Sequence, residues 1–143
     1  MVDALSRAHR WLRPDGRLID LRPATELVAR VSVGDADTGW SEAGLLTIEH
    51  ARRQRYAAAD LALQIALDRG WFALELETSV EFARYADSAD ELRDYIAAKW
   101  RETRMGPETH ARAVELLQNR RGGGVRLTER VGIKCLRIPG VKF

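Results

Sequence analysis

Trp71-Phe72-Ala73-Leu74-Glu75-Leu76-Glu77-Thr78-Ser79-Val80-Glu81-Phe82-Ala83-Arg84-Tyr85 alternates with the two-residue period of an extended chain. Phe72, Leu74, Leu76, Val80 and Phe82 fall on one face, Glu75, Glu77, Ser79 and Glu81 on the other. Such a strand is expected to lay its apolar side on a core and its polar side in solvent. Val125 to Ile138 repeats the alternation with the charge reversed: Val125, Leu127, Val131, Ile133 and Cys135 are apolar, Arg126, Thr128, Arg130 and Lys134 polar. Opposite charges facing each other across neighbouring strands contribute roughly 0.2 to 1 kcal/mol per pair. Glu75, Glu77 and Glu81 therefore predict a place beside Arg126, Arg130 and Lys134, in two adjacent antiparallel strands.

Helices fill the interval between these strands. Ser88-Ala89-Asp90-Glu91 is a capping-box sequence, in which the serine hydroxyl accepts from the third helical amide and the glutamate reaches back. Leu92, Tyr95, Ile96 and Trp100 mark one face of the helix that follows. Gly106-Pro107 opens another, because proline at the first helical position lacks only an amide proton that would have had no partner. Ala111, Val114 and Leu117 face inward along it as far as Gly122-Gly123-Gly124. Upstream, Tyr56, Ala59, Leu63, Ala66 and Leu67 form the apolar stripe of a helix running from about His50 to Arg69, which Gly70 terminates. Leu27 to Val33 alternates as a strand, Gly34, Asp35, Asp37 and Gly39 turn the chain, and Trp40 to Ile48 returns as the other arm of a hairpin. Nearest the N-terminus, Leu5, Ala8 and Leu12 stand at helical spacing. Pro14-Asp15-Gly16 stops that helix, and Leu18-Ile19-Asp20-Leu21 is a short strand with apolar residues on both faces.

With 143 residues, 45% of them hydrophobic and 31% charged, the chain can bury one core and is expected to form a single domain over residues 1–143. The fold class predicted is α/β to α+β: a small mixed sheet containing the antiparallel long-strand pair, with helices packed on it. A net charge of +2 is too small to argue for a nucleic-acid partner. The one cysteine, Cys135, excludes an internal disulfide framework and any cysteine-rich zinc site. No stretch approaches the roughly 20 apolar residues of a membrane span, so a soluble cytoplasmic protein is expected.

Chemistry-bearing patterns are sparse. His9, His50 and His110 sit on three separate predicted helices and lack the spacing that sets two imidazoles on one helical face, so no metal site is expected. Cys135 falls on the apolar phase of its strand and reads as a buried thiol. Ser41 and Ser88 belong to no nucleophile-elbow pattern. Gly122-Gly123-Gly124 leaves a helix and enters a strand, the reverse of a phosphate loop. Arg120-Arg121 and Arg52-Arg53-Gln54-Arg55 read as solvated faces rather than phosphate contacts. Among the aromatic residues, Trp71, Tyr56 and Trp100 are the candidates for lining a ligand pocket between the helices and the apolar sheet face.

The run Ala4-Leu5-Ser6-Arg7-Ala8-His9-Arg10-Trp11-Leu12-Arg13-Pro14-Asp15-Gly16-Arg17-Leu18-Ile19-Asp20-Leu21 resembles a stretch of class I S-adenosylmethionine-dependent methyltransferases: a helix, a Leu-(Lys/Arg)-Pro-(Gly/Asp)-Gly turn, then the fifth strand of the sheet. The likeness continues more loosely through a helix ending before Gly70-Trp71-Phe72, a strand, the segment Tyr85-Ala86-Asp87-Ser88-Ala89-Asp90-Glu91-Leu92, two helices and a last strand. It implies that the last strand lies antiparallel between the other two, in the order Leu18 to Leu21, Val125 to Ile138, Trp71 to Tyr85.

That family binds its cofactor through a glycine-rich turn after the first strand and an acidic residue ending the second, and neither lies in this chain. Val33-Gly34-Asp35-Ala36-Asp37 lacks the Gly-x-Gly needed for close backbone approach. The resemblance therefore transfers no cofactor-binding or catalytic residue, and no cofactor is expected. In the full enzymes a neighbour covers the strand that Leu18 to Leu21 resembles. Here the exposed edge calls for cover from the Leu27 to Val33 segment, from a second copy in a homodimer, or from a complementing protein subunit. The function expected is a non-catalytic assembly or accessory domain. Its alternatives are a small-molecule-binding domain or enzyme with a pocket between helices and sheet, and one subunit of a split methyltransferase.

Overall fold

Both alternating stretches are strands in the computed structural model, which describes residues 1–23, 28–120 and 122–140. They are β5 (Ala73–Ala86) and β7 (Gly124–Arg137), each of 14 residues. The chain runs α1 (Val2–Trp11), β1 (Arg17–Pro23), β2 (Arg30–Asp35), β3 (Gly39–Leu45), β4 (Thr47–Ile48), α2 (His50–Asp68), β5, α3 (Ala89–Lys99), β6 (Thr103–Arg104), α4 (Pro107–Gln118) and β7.

β7 pairs with β1, β2 and β5. Its residues 131–137 run antiparallel to β1, from Arg17 opposite Arg137 to Pro23 opposite Val131. Residues 124–128 run antiparallel to β2. Glu77 meets Lys134 at 3.3 Å and Glu81 meets Arg130 at 3.9 Å, so β5 descends as β7 ascends, in the antiparallel sense that the charges predict. The third expected carboxylate, Glu75, pairs instead with Arg17 of β1 at 2.6 Å. Cys135 has Ile19 as its β1 partner and lies 3.4 Å from Glu75, so β7 runs between β1 and β5. The result is an antiparallel sheet with helices packed on it.

The chain divides into two compact units, Met1–Thr25 with Arg53–Val80 and Val131–Phe143, and Glu26–Arg52 with Glu81–Arg130. In the first, Leu63 and Ala66 of α2, Phe72 and Leu136 form the buried centre, and Leu5, Ala8, Leu12 and Leu18 pack around it. In the second, Val31, Val33, Val125 and Leu127 from the sheet meet Leu92 and Ile96 of α3 and Ala113 of α4. Ser88 caps α3 as expected, its hydroxyl accepting from the Glu91 amide at 3.1 Å. The Glu91 carboxylate takes the amide of Asp87, one residue before the position a capping box implies.

Several expectations change. Of Phe72, Leu74, Leu76, Val80 and Phe82 only Phe72, just before β5, is buried, at 2% exposure; the other four are exposed. Period two reports the pleat of the backbone and says nothing of whether an element lies over the apolar side. On β7 the buried residues change phase, Val125 and Leu127 being odd-numbered and Leu136 even-numbered, because the strand contributes to a different core in each unit. On α4 Ala113 is buried and Ala111 exposed. The hairpin arm expected from Trp40 to Ile48 ends at Leu45, and Thr47 and Ile48 pair with β6 instead. Of the Leu27 to Val33 strand, Leu27 lies outside the described residues and the ladder begins at Arg30.

The β2–β3 hairpin closes through Ala36-Asp37-Thr38, with Gly39 at a φ of 83°. A Cβ at Gly34 would stand 2.0 Å from the Gly39 carbonyl oxygen. Gly34→Ala is therefore expected to lower unfolding free energy by about 1–3 kcal/mol in urea titrations. Gly140→Ala, where a Cβ meets nothing within 4 Å, is expected to stay within about 0.5 kcal/mol of the parent.

Candidate functional site

β1 supplies apolar side chains to both of its faces. Leu18 packs into the buried cluster of the first unit. Ile19 and Leu21 point the other way and remain 64% and 60% exposed. Their ladder partners on β7 are Cys135 and Ile133, and Pro23 stands opposite Val131, which extends the same face. A strand apolar on both faces normally lies within a sheet covered from both sides. Here one face is bare, and among the described residues β7 is the only ladder partner of β1. β2, which holds Arg30 to Val33 of the Leu27 to Val33 segment, pairs with β7 and β3, so it does not act as the expected cover for β1.

Both sides of β1 are held by charge. On the packed side Arg22 donates Nε to Asp20 at 2.9 Å, Nη2 to Asp60 of α2 at 2.8 Å and Nη1 to the Tyr56 carbonyl at 3.3 Å. Burial opposes the charge on Arg22, but Asp20 and Asp60 outweigh it and raise its pKa. On the bare side Arg17 makes a two-pronged pair with Glu75, at 2.6 and 2.9 Å. That hydrogen bonding, aided by the Cys135 thiol, holds the Glu75 carboxyl down at about 2 and raises Arg17. The thiol donates to Glu75 at 3.4 Å, and desolvation together with the neighbouring carboxylate raises its pKa. Cys135 is thus a protonated donor at neutral pH, unlike an activated thiolate. It is half-buried, in place of the buried thiol expected.

The residues proposed to line a ligand pocket are placed as follows. Tyr56 and Trp71 belong to the first unit and Trp100 to the second. Trp71 stacks on His9 with ring centroids 6.4 Å apart and lies under the Arg69 guanidinium at 5.1 Å. Trp100 has the Arg52 guanidinium over its ring at 5.8 Å. Arg52 also donates to Thr103 and faces Glu129, whose carboxyl is raised by burial against the pull of Arg52. Arg120 braces the hairpin turn through Thr38, Gly39 and Ser41. Arg121 lies outside the described residues. Asp35 caps that turn by accepting from Thr38 and Asp37, which lowers its pKa. His110 contacts Asp90 at 3.0 Å. Among the described residues, no group of three or more His, Cys, Asp or Glu is placed to hold a metal ion, and no helix is long and apolar enough to cross a membrane.

The exposed pair Ile19 and Leu21 was not singled out by sequence reasoning. Its signal was there in the double-sided apolarity of β1. No protein family, curated protein or solved structure matches the chain.

The depressed Glu75 pKa sets a pH window. Its contribution to stability is present above the ordinary carboxyl value of 4.5 and is lost as pH falls toward 2. Carboxyl-carbon NMR titration should place Glu75 near 2, and Arg17→Ala should return it toward 4.5.

Proposed function

We propose that the chain is a non-catalytic assembly module, resembling the C-terminal half of a class I methyltransferase, which joins a second copy of itself along β1. The observation that carries this reading is the pair Ile19 and Leu21, exposed on a strand with one described ladder partner. An antiparallel two-fold pairing centred on Asp20 sets Ile19 of each copy against Leu21 of the other, so that the two apolar pairs shield each other across the new ladder. The two Asp20 carboxylates brought together by that axis are each already neutralised by Arg22. Such a dimer extends an antiparallel sheet by antiparallel pairing and leaves no ladder group of β1 without a partner.

The resemblance supports the same surface from another direction, since the strand that β1 resembles is interior in the full methyltransferase fold. A complementing polypeptide, as in a split methyltransferase, is the second reading, and it uses the same edge. The setting proposed is the cytoplasm, which suits a single protonated thiol.

Sedimentation of the purified chain tests the assignment. The parent is expected to sediment as a dimer, and Leu21→Lys is expected to weaken association by about tenfold or more. Leu74→Lys, on the exposed part of β5, should leave it unchanged. A parent that stays monomeric at high concentration overturns self-association. A complementing polypeptide retained by the parent and lost with Leu21→Lys would then assign the edge to the second reading.

A further inference from the structure

The second unit contains a cleft of about 250 Å³ on the face of the sheet where Arg30, Ser32, Arg126 and Thr128 emerge. The ladder brings them together: Arg30 stands opposite Thr128 and Ser32 opposite Arg126. Two arginines at this cleft already have carboxylates, Arg30 with Glu42 at 2.9 Å and Arg130 with Glu81 at 3.9 Å. These are half-exposed pairs of the kind that contributes little to stability.

Arg126 differs from both. Its guanidinium lies over the Trp40 ring at 4.3 Å, and Trp40 in turn leans on Tyr85 with ring centroids 5.7 Å apart. Among the described residues its Nε is buried without a hydrogen-bond partner, and the same holds for the hydroxyl of Thr128. Leaving a buried donor unsatisfied is unfavourable, and more so on a charged group. Arg126 and Thr128 both line this cleft.

We propose that this cleft binds a small monocarboxylate, whose oxygens accept from Arg126 and from the Thr128 hydroxyl. Three guanidinium groups against the carboxylates of Glu42 and Glu81 leave one positive charge in excess, which matches a single negative charge. Contact with the Trp40 ring restrains the Arg126 guanidinium, and a restrained planar fork suits the planar carboxylate. Glu42 and Glu81 in the lining disfavour a phosphate dianion by like-charge repulsion. The volume corresponds to about eight waters at ~30 Å³ each, so the ligand is the size of a small metabolite. The site is independent of docking along β1.

NMR titration of the full chain with acetate, benzoate and inorganic phosphate tests the inference, read at the Trp40 indole N–H and the Arg126 Nε–H. Saturable shifts are expected with the carboxylates, and weaker binding or none with phosphate. Arg126→Gln should weaken carboxylate binding by about tenfold or more. Thr128→Val, which keeps the side-chain volume, carries the test by a smaller loss if the arginine variant fails to fold. Absence of saturation by either carboxylate overturns the proposal, as does unchanged affinity in a folded Arg126→Gln chain. Tighter binding of phosphate than of benzoate overturns the charge argument.

Discussion

Backbone pairing along β7 is the constraint on which the other strands depend. Amide and carbonyl groups must find partners or water, and a strand offers them along two edges only. β7 supplies them to β5, to β2 through residues 124–128, and to β1 through residues 131–137. Gly124 marks how closely the strands approach, since a Cβ there would lie 2.9 Å from the Ala86 carbonyl oxygen. Because β7 contributes to both compact units, its buried residues change phase between Leu127 and Leu136. A single alternating pattern therefore cannot describe it.

The arginines divide by what they touch. Arg22 ties β1 to α2, Arg120 ties the end of α4 to the hairpin turn, and Arg17 pairs with Glu75 on the bare face of β1. Arg52 reaches Thr103, Glu129 and the ring of Trp100. In each case a long, permanently charged side chain joins elements distant in sequence. Arg126 stands apart, with an aromatic ring beneath it in the lining of a cleft.

Much of the local structure was legible in the chain itself. The stripe Ala59, Leu63 and Ala66 is the buried face of α2, and Ser88 caps α3. The carboxylates of β5 do meet the bases of β7 at Glu77 and Glu81, because two oppositely charged alternating strands stabilise one pairing over others. Ala111 and Ala113 could not be told apart, since a short, weakly apolar stripe leaves the phase of a helix open within about one turn. The cleft was not legible at all. Arg30 and Thr128 are opposite each other only through the register of β2 on β7, which no local pattern records.

The sequence by itself determined where strands and helices form, which side chains share a face and which two long strands attract. These follow from dihedral preference, period and charge, all local or nearly so. Tertiary structure alone decided which faces are covered. Leu74, Leu76 and Phe82 on β5, which read as core, stand in solvent, as do Ile19 and Leu21 on β1. Burial needs a second element delivered to the same place, and that delivery depends on contacts spanning the whole chain.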